Sequence, residues 1–131
     1  MRTILCHGVF DLLHAGHVLH LQRARELGNH LIVSLIHDDY VTKRKPIYPV
    51  TERKWILESI RFVDRVVICH APGPERIIET LRPTIYARGE DYKGKEMPES
   101  PLLERLGIQT ISLLSYPLHT SDVISRVKAL P

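Results

Sequence analysis

The residues best placed to do chemistry are two histidines, His14 and His17, with a glycine between them. They follow the apolar run 4–6, which is typical of a buried strand, and precede a helical pattern that stops at Gly28. Residues three apart in the first turn of a helix share a face, so both rings can point at one ligand. The backbone N–H groups of that turn have no partner within the helix. Such donors suit a polyphosphate, although a metal-binding pair or two unrelated polar residues are the alternatives for the spacing alone.

The alternation of strand and helix patterns indicates how these residues are positioned. We expect strands at 2–7, 31–36, 65–69, 84–88 and 109–114. We expect helices at 16–27, 52–60, 74–81, 99–106 and 121–129. This alternation predicts a doubly wound α/β fold with a mostly parallel five-stranded sheet and helices on both faces. In such a sheet the strand-to-helix turn holding the histidines lies at the ligand-binding edge.

The longer pattern from Gly8 to His17, G-x-F-D-x-x-H-x-G-H, resembles the signature of the nucleotidyltransferase superfamily that carries the H-x-G-H sequence. Further similarity lies at 43–45, 52–54, 60–64 and 89–95. The chain resembles the cytidylyltransferase-like branch, most closely the glycerol-3-phosphate cytidylyltransferases, and is also similar to heptose-phosphate adenylyltransferase domains. The resemblance implies a Rossmann-like fold with nucleotide contacts from Gly8, Val9, Phe10, Asp11, Gly16, Gly89, Asp91, Tyr92, Thr120 and Ser121.

Length and composition agree with one nucleotidyltransferase domain over residues 1–131. With 44% hydrophobic and 25% charged residues, the chain has ordinary globular composition and no run resembling a membrane span. Cys6 and Cys69 lie in apolar runs, which predicts buried, reduced thiols and a cytoplasmic protein. The net charge of +3 is too small to indicate nucleic-acid binding, but it suits phosphate ligands.

Basic residues outside the histidine motif are candidates for phosphate binding. The resemblance assigns lysines of the loop 39–51 to the substrate phosphates, so we expect Lys43 and Lys45 to be catalytic. The alternative is a basic loop that is simply solvated. It also places Arg61 against the phosphates, with an arginine–aspartate turn as the alternative. Arg53 is expected in the substrate pocket, with a surface arginine as its alternative. Asp38 and Arg88 complete the predicted acceptor-binding set.

Two later segments are expected at the same edge. After the fourth strand, Asp91 and Tyr92 are expected to close over the base or ribose, which does not distinguish cytosine from adenine. Near the C-terminus, Thr120 and Ser121 match family hydroxyl positions at the start of the last helix. His119 replaces the usual serine and the upstream arginine is missing, so the contact with the triphosphate tail is in question.

The reaction implied is attack by a phosphate oxygen of the acceptor on the α-phosphorus of a nucleoside triphosphate, with release of pyrophosphate. Catalysis then consists of positioning and charge stabilisation, with Mg²⁺ held mainly by the nucleotide phosphates. CTP with glycerol 3-phosphate is the leading pair, and ATP with a sugar phosphate is the alternative. An alternative of another class is a catalytically silent nucleotide-binding module. The resemblance also implies a homodimer, with no membrane partner.

Overall fold

The computed structural model describes all residues 1–131 as alternating strands and helices. The strands are β1 (Thr3–Gly8), β2 (His30–Ile36), β3 (Arg65–Cys69), β4 (Ile85–Gly89) and β5 (Gln109–Leu113). The helices are α1 (Ala15–Glu26), α2 (Val50–Glu58), α3 (Glu75–Leu81), α4 (Ser100–Arg105) and α5 (Thr120–Lys128). Short 3₁₀ turns at Asp38–Tyr40 and Glu90–Tyr92 follow β2 and β4.

The five strands form one sheet in the order β3-β2-β1-β4-β5, and every neighbouring pair is parallel. The chain winds outward from β1 to β3, then crosses back to β4 and continues to β5 on the other side. The strand order therefore reverses between β1 and β4, and ligands bind at such a switch point in open α/β sheets. This confirms the predicted doubly wound, Rossmann-like fold.

Successive residues of β1 point to opposite faces of the sheet, and each face packs against its own helices. Ile4 and Cys6 belong to the larger core cluster, which includes Leu21 of α1 and Leu57 of α2. Leu5 belongs to a second cluster, which contains residues of α3 and α4. The sheet is thus covered on both sides. The two core clusters hold β1 in position, and β1 in turn determines where the first turn of α1 lies.

None of the helices combines the length and the apolar character that crossing a membrane requires. Both cysteines are buried and free, as the apolar runs around them predict.

Candidate functional site

Two neighbouring cavities lie at the carboxyl edge of the sheet. The smaller, of about 190 Å³, is called the histidine cavity and lies between the start of α1 and residues 115–120. The larger, of about 550 Å³, is called the large cavity and is bounded by the ends of β1, β2 and β4 and by the loops after β2, β3 and β4. Their position at the switch point makes them the candidate site.

The two motif histidines have a fixed tautomer. Nδ1 of His14 accepts a hydrogen bond from the Gly16 N–H at 3.0 Å, so His14 caps α1. Nδ1 of His17 accepts from the His14 N–H at 3.2 Å, and the two rings stack with centroids 3.9 Å apart. Because each Nδ1 accepts, the proton of each neutral ring is on Nε2. Nε2 of His14 is buried and has no partner in the protein, so it is an orphaned donor suited to a ligand.

Gly16 allows this geometry because a larger residue would not fit. A Cβ at this position would lie 2.8 Å from the His14 ring and 3.0 Å from the Leu118 carbonyl oxygen. The glycine therefore lets the ring of His14 and the loop before α5 both close on the first turn of α1. This is the steric reason for the middle glycine of the motif.

Four histidines in and around the cavities, His7, His14, His17 and His20, have lowered pKa values that keep them neutral. Burial lowers the pKa of His17 to about 3, and the neighbouring His14 and His20 add to the effect. Burial also lowers the pKa of His14, helped by His119 and opposed by Asp122. The pKa values of His7 and His20 are lowered chiefly by burial as well. These histidines therefore present N–H donors without a positive charge of their own, and such donors bind a phosphate more strongly as negative charge develops on it.

The large cavity is also lined by two hydrogen-bonded groups outside the sequence motifs, one around His7 and one between Tyr86 and Glu99. Nε2 of His7 donates to the Pro72 carbonyl at 3.1 Å, so its Nδ1 accepts from the Ser34 hydroxyl at 3.0 Å. Nearby, the buried hydroxyl of Tyr86 donates to Oε2 of Glu99 at 3.0 Å. Burial and then the Glu99 carboxylate raise the pKa of Tyr86, which keeps the phenol protonated.

Arg88 and Lys43 bring positive charge to the large cavity, and both line it. Nε and Nη1 of Arg88 are buried without a partner, and Nη2 makes only a long contact of 3.4 Å with the Lys95 carbonyl. Unpaired guanidinium donors in a cavity fit an anionic group such as a phosphate. Both lysines are exposed, but Lys45 lines neither cavity.

The structure corrects the expected roles of Arg53 and Asp38. The Arg53 side chain is fully buried and donates to the carbonyls of Tyr48, Val9 and Ile36 and to Oδ1 of Asp38. Burial alone would raise the pKa of Asp38, but the hydrogen bonds and charge of Arg53 lower it overall. Neither residue lines a cavity, because the pair is used to hold the loop after β2 against the ends of β1 and β2.

Asp11 and Phe10 also act inside the protein. The Asp11 carboxylate accepts from the N–H groups of Leu12, Ile47 and Tyr48 at 3.1, 2.7 and 3.0 Å. It therefore anchors the end of the basic loop rather than facing a nucleotide. Phe10 has a positive φ of 50° and packs against the His17 ring, with centroids 5.5 Å apart. The contacts that the structure shows for both side chains are therefore internal, and their expected contact with a nucleotide stays a prediction.

Arg61 is a predicted catalytic residue that lines neither cavity. It lies between the end of α2 and the start of β3, at the edge where the strands begin. Asp64 of the same turn exchanges two hydrogen bonds with the backbone of Leu31 near the start of β2. Arg61 itself is exposed and covers the Phe62 ring at 5.0 Å. Because the cavities open at the opposite edge, the expected phosphate contact within this chain is corrected.

The remaining predicted residues divide between the cavities. Gly8, Val9, Gly89 and Tyr92 line the large cavity. Asp91 and Thr120 line the histidine cavity, while Ser121 is exposed and lines neither.

The altered loop before α5 closes one side of the histidine cavity. His119 lines this cavity and starts α5, and its N–H donates to Oδ2 of Asp122 at 2.8 Å. Thr120 donates through its hydroxyl to the Asp11 carbonyl at 3.2 Å, which joins α5 to the loop before α1. His119, which replaces the usual serine, therefore lies in the wall of the histidine cavity as the N-cap of α5.

The cavity-wall residues missed from the sequence include His7, His20, Glu75, Tyr86 and Glu99. His20 carried a signal, since it follows His17 at the same three-residue spacing. His7 carried a weaker one, as a polar residue at the end of a buried strand. Tyr86 and Glu99 carried none, because their pairing depends on how the segment after β4 returns to the sheet.

Comparison with known proteins gives a family match over nearly the whole chain. The family model described as cytidylyltransferase-like matches residues 5–125. The protein named bifunctional protein HldE from Streptomyces coelicolor is 41% identical over 85% of this chain, and the HldE of Campylobacter concisus is 37% identical over 97%. The chain spans about a quarter of the length of these curated relatives.

Solved structures give the same result for the fold. The lipopolysaccharide core biosynthesis protein from Thermoplasma volcanium matches with a TM-score of 0.75 and 25% identity, over 88% of this chain and 98% of that one. A pantothenate synthetase from Thermus thermophilus matches with a TM-score of 0.60 at 16% identity, over 100% of this chain and 62% of that one. The second match concerns the fold alone.

Proposed function

The chain belongs to the cytidylyltransferase-like family, and on that premise we propose that it transfers a nucleoside monophosphate from a nucleoside triphosphate to a phosphorylated acceptor, releasing pyrophosphate. One observation carries the proposal. His14 and His17 present Nε2–H donors at the start of α1, and the His14 donor is buried without a partner. Paired neutral donors at a helix N-terminus suit a phosphate group that gains charge during reaction.

In the proposed reaction an acceptor phosphate oxygen attacks the α-phosphorus. The bond from the α-phosphorus to the bridging oxygen breaks, and pyrophosphate leaves with the electron pair. His14 and His17 donate to the phosphate oxygens on which charge develops. Their Nε2 atoms carry protons, so neither ring is a nucleophile in this tautomer. The histidine cavity holds the triphosphate, with His119 and Thr120 toward its distal end.

The large cavity is the proposed acceptor site. Arg88 and Lys43 supply donors for the acceptor phosphate, and the carboxylates of Glu75 and Glu99 line the same cavity and can accept hydrogen bonds from hydroxyl groups. About 550 Å³ exceeds what a three-carbon phosphate needs, so a phosphorylated sugar fits this cavity better. The lysine of this set is Lys43, because Lys45 lies outside both cavities.

ATP is the proposed nucleotide, because the similarity to proteins named HldE favours an adenylyltransferase acting on a sugar phosphate. The second candidate is CTP with glycerol 3-phosphate, which the motif wording and the cytidylyltransferase-like family model favour. Either base places the same residues in the same roles.

Mg²⁺ is the proposed cofactor, and the donor set fits an ion that arrives with the nucleotide. No group of three or more His, Cys, Asp and Glu side chains is arranged to hold a metal. Asp91, the carboxylate lining the histidine cavity, is the side chain that would assist phosphates and water in holding the ion. When bound, Mg²⁺ supplies charge neutralisation of the phosphates. We also propose that residues 1–131 form one catalytic domain. We further propose that the protein is a homodimer and that it is located in the cytoplasm.

The test is pyrophosphate release in the presence of Mg²⁺, with ATP and CTP each crossed against sugar phosphates and glycerol 3-phosphate. We expect release with ATP and a sugar phosphate, and loss of about 10²–10³ in turnover for His17→Ala. His30→Ala, at the start of β2 on the opposite edge, is the matched control. Tight nucleotide binding without release from any pair would instead identify the silent nucleotide-binding module.

A further inference from the structure

The second histidine of α1, His20, is the one residue that lines both the histidine cavity and the large cavity. It follows His17 by one helical turn, and its half-buried ring makes no hydrogen bond to the protein. His7, which lines the same large cavity, is by comparison bonded to both Ser34 and Pro72. A ring left unpaired on a wall between two ligand cavities has its hydrogen-bonding capacity available to what fills them.

The boundary between the cavities is also where the two substrates must meet. If the triphosphate fills one cavity and the acceptor the other, the attacking oxygen and the α-phosphorus come within about 3–3.5 Å of each other at this boundary. The end of β4 contributes Ala87 and Gly89 to the wall of the same large cavity, and such small residues leave room in it for a phosphate group.

We propose that His20 contacts the acceptor phosphate at the boundary between the two cavities and orients its attacking oxygen toward the α-phosphorus. This inference rests on the proposed function. The ring donates one hydrogen bond to a non-bridging oxygen and keeps its proton throughout. The new bond forms between the acceptor oxygen and the α-phosphorus, and the electron pair of the broken bond leaves with pyrophosphate.

The test compares His20→Leu with His20→Gln. Leucine fills similar space without a donor, whereas glutamine restores an N–H donor. We expect His20→Leu to lower kcat/KM for the acceptor by about 10²-fold while the nucleotide Kd stays within about twofold. We expect His20→Gln to recover a substantial part of that loss. His30→Leu is the matched control, because His30 lies at the opposite edge of the sheet.

A merely structural histidine gives a different pattern. Acceptor kcat/KM within about threefold of the parent in a folded His20→Leu variant would overturn the inference. If His20→Leu does not fold, His20→Ala takes its place as the variant without a donor, and an acceptor kcat/KM within about threefold of the parent in folded His20→Ala would overturn the inference equally.

A second readout separates this inference from the proposed function. The imidazole ¹⁵N signals of His20 are followed by NMR while inorganic phosphate is added to the parent protein saturated with a non-hydrolysable nucleoside triphosphate and Mg²⁺. We expect the His20 signals to shift and those of His30 to stay. Unmoved His20 signals overturn the inference, whereas absence of pyrophosphate release in the parent overturns the proposed function.

Discussion

The substitution Arg53→Met tests whether this arginine is part of the framework or part of the substrate pocket. Methionine keeps much of the buried volume but removes four hydrogen bonds, three to the carbonyls of Tyr48, Val9 and Ile36 and one to the Asp38 carboxylate. An unsatisfied buried acceptor costs about 1–3 kcal/mol, and removing one partner of a buried ion pair costs about 3–5 kcal/mol. Asp38 is partly exposed, so water compensates part of its loss.

The expected loss in the free energy of unfolding is therefore about 4 kcal/mol. Urea denaturation followed by circular dichroism measures it. The fraction that remains folded should keep its acceptor KM within about threefold of the parent, since Arg53 lines neither cavity.

Arg61→Ala is the matched control, because that arginine is exposed and contacts only the Phe62 ring. We expect it to cost less than about 1 kcal/mol and to leave activity near the parental level. An Arg53→Met variant as stable as the parent, with a strongly raised acceptor KM, would refute the framework role and restore the substrate-binding role.

Three further predictions follow from the site. Lys43→Ala should lower kcat/KM for the acceptor by about 10²-fold, and Lys45→Ala should lower it by no more than about threefold. Pyrophosphate release measures both values, and equal effects would contradict the assignment of Lys43 as the lysine that binds the acceptor phosphate. Gly16→Ala should abolish most activity in a folded protein, because the added methyl would meet the His14 ring at 2.8 Å; parental turnover with unchanged circular dichroism would contradict the steric argument. Burial lowers the pKa of His17 to about 3, so between pH 6.5 and 3 the unfolded chain binds more protons at this residue than the folded protein does. The free energy of unfolding should therefore be unaffected by His17 above pH 6.5 and should fall below that pH, by at most about 1.4 kcal/mol per pH unit. Urea denaturation between pH 7.5 and 5 measures this fall, and an unchanged free energy of unfolding over that range would contradict the prediction.

The fold was largely predictable because its signals are local. Each predicted strand lies within one residue of an observed one at both ends, since continuous apolar runs and Gly or Pro punctuation mark parallel strands. The sequence predicted a mostly parallel sheet, and all four strand pairs are parallel. Helices were displaced by up to two residues, as for α2, which was expected at 52–60 and spans Val50–Glu58.

The site was predictable only where its residues belong to one local turn. His14, Gly16 and His17 lie in a single segment, and the structure brings them together as expected. Arg53 and Asp38 could not be assigned, because a buried arginine and a pocket arginine have the same local sequence. The place of Arg61 could have been inferred from element order, since a residue between a helix end and a strand start lies at the edge away from the site.

The central claim is direct attack of the acceptor phosphate on the α-phosphorus, with the histidines as donors. The parent protein is incubated with Mg²⁺ and ATP labelled with ³²P at the α-position, with and without the sugar phosphate. The account predicts that the label moves to the sugar nucleotide only when the acceptor is present, and that denatured protein carries none. Label retained on denatured protein in the absence of acceptor would show a covalent nucleotidyl intermediate, which the protonated Nε2 atoms of His14 and His17 forbid, and would contradict the account.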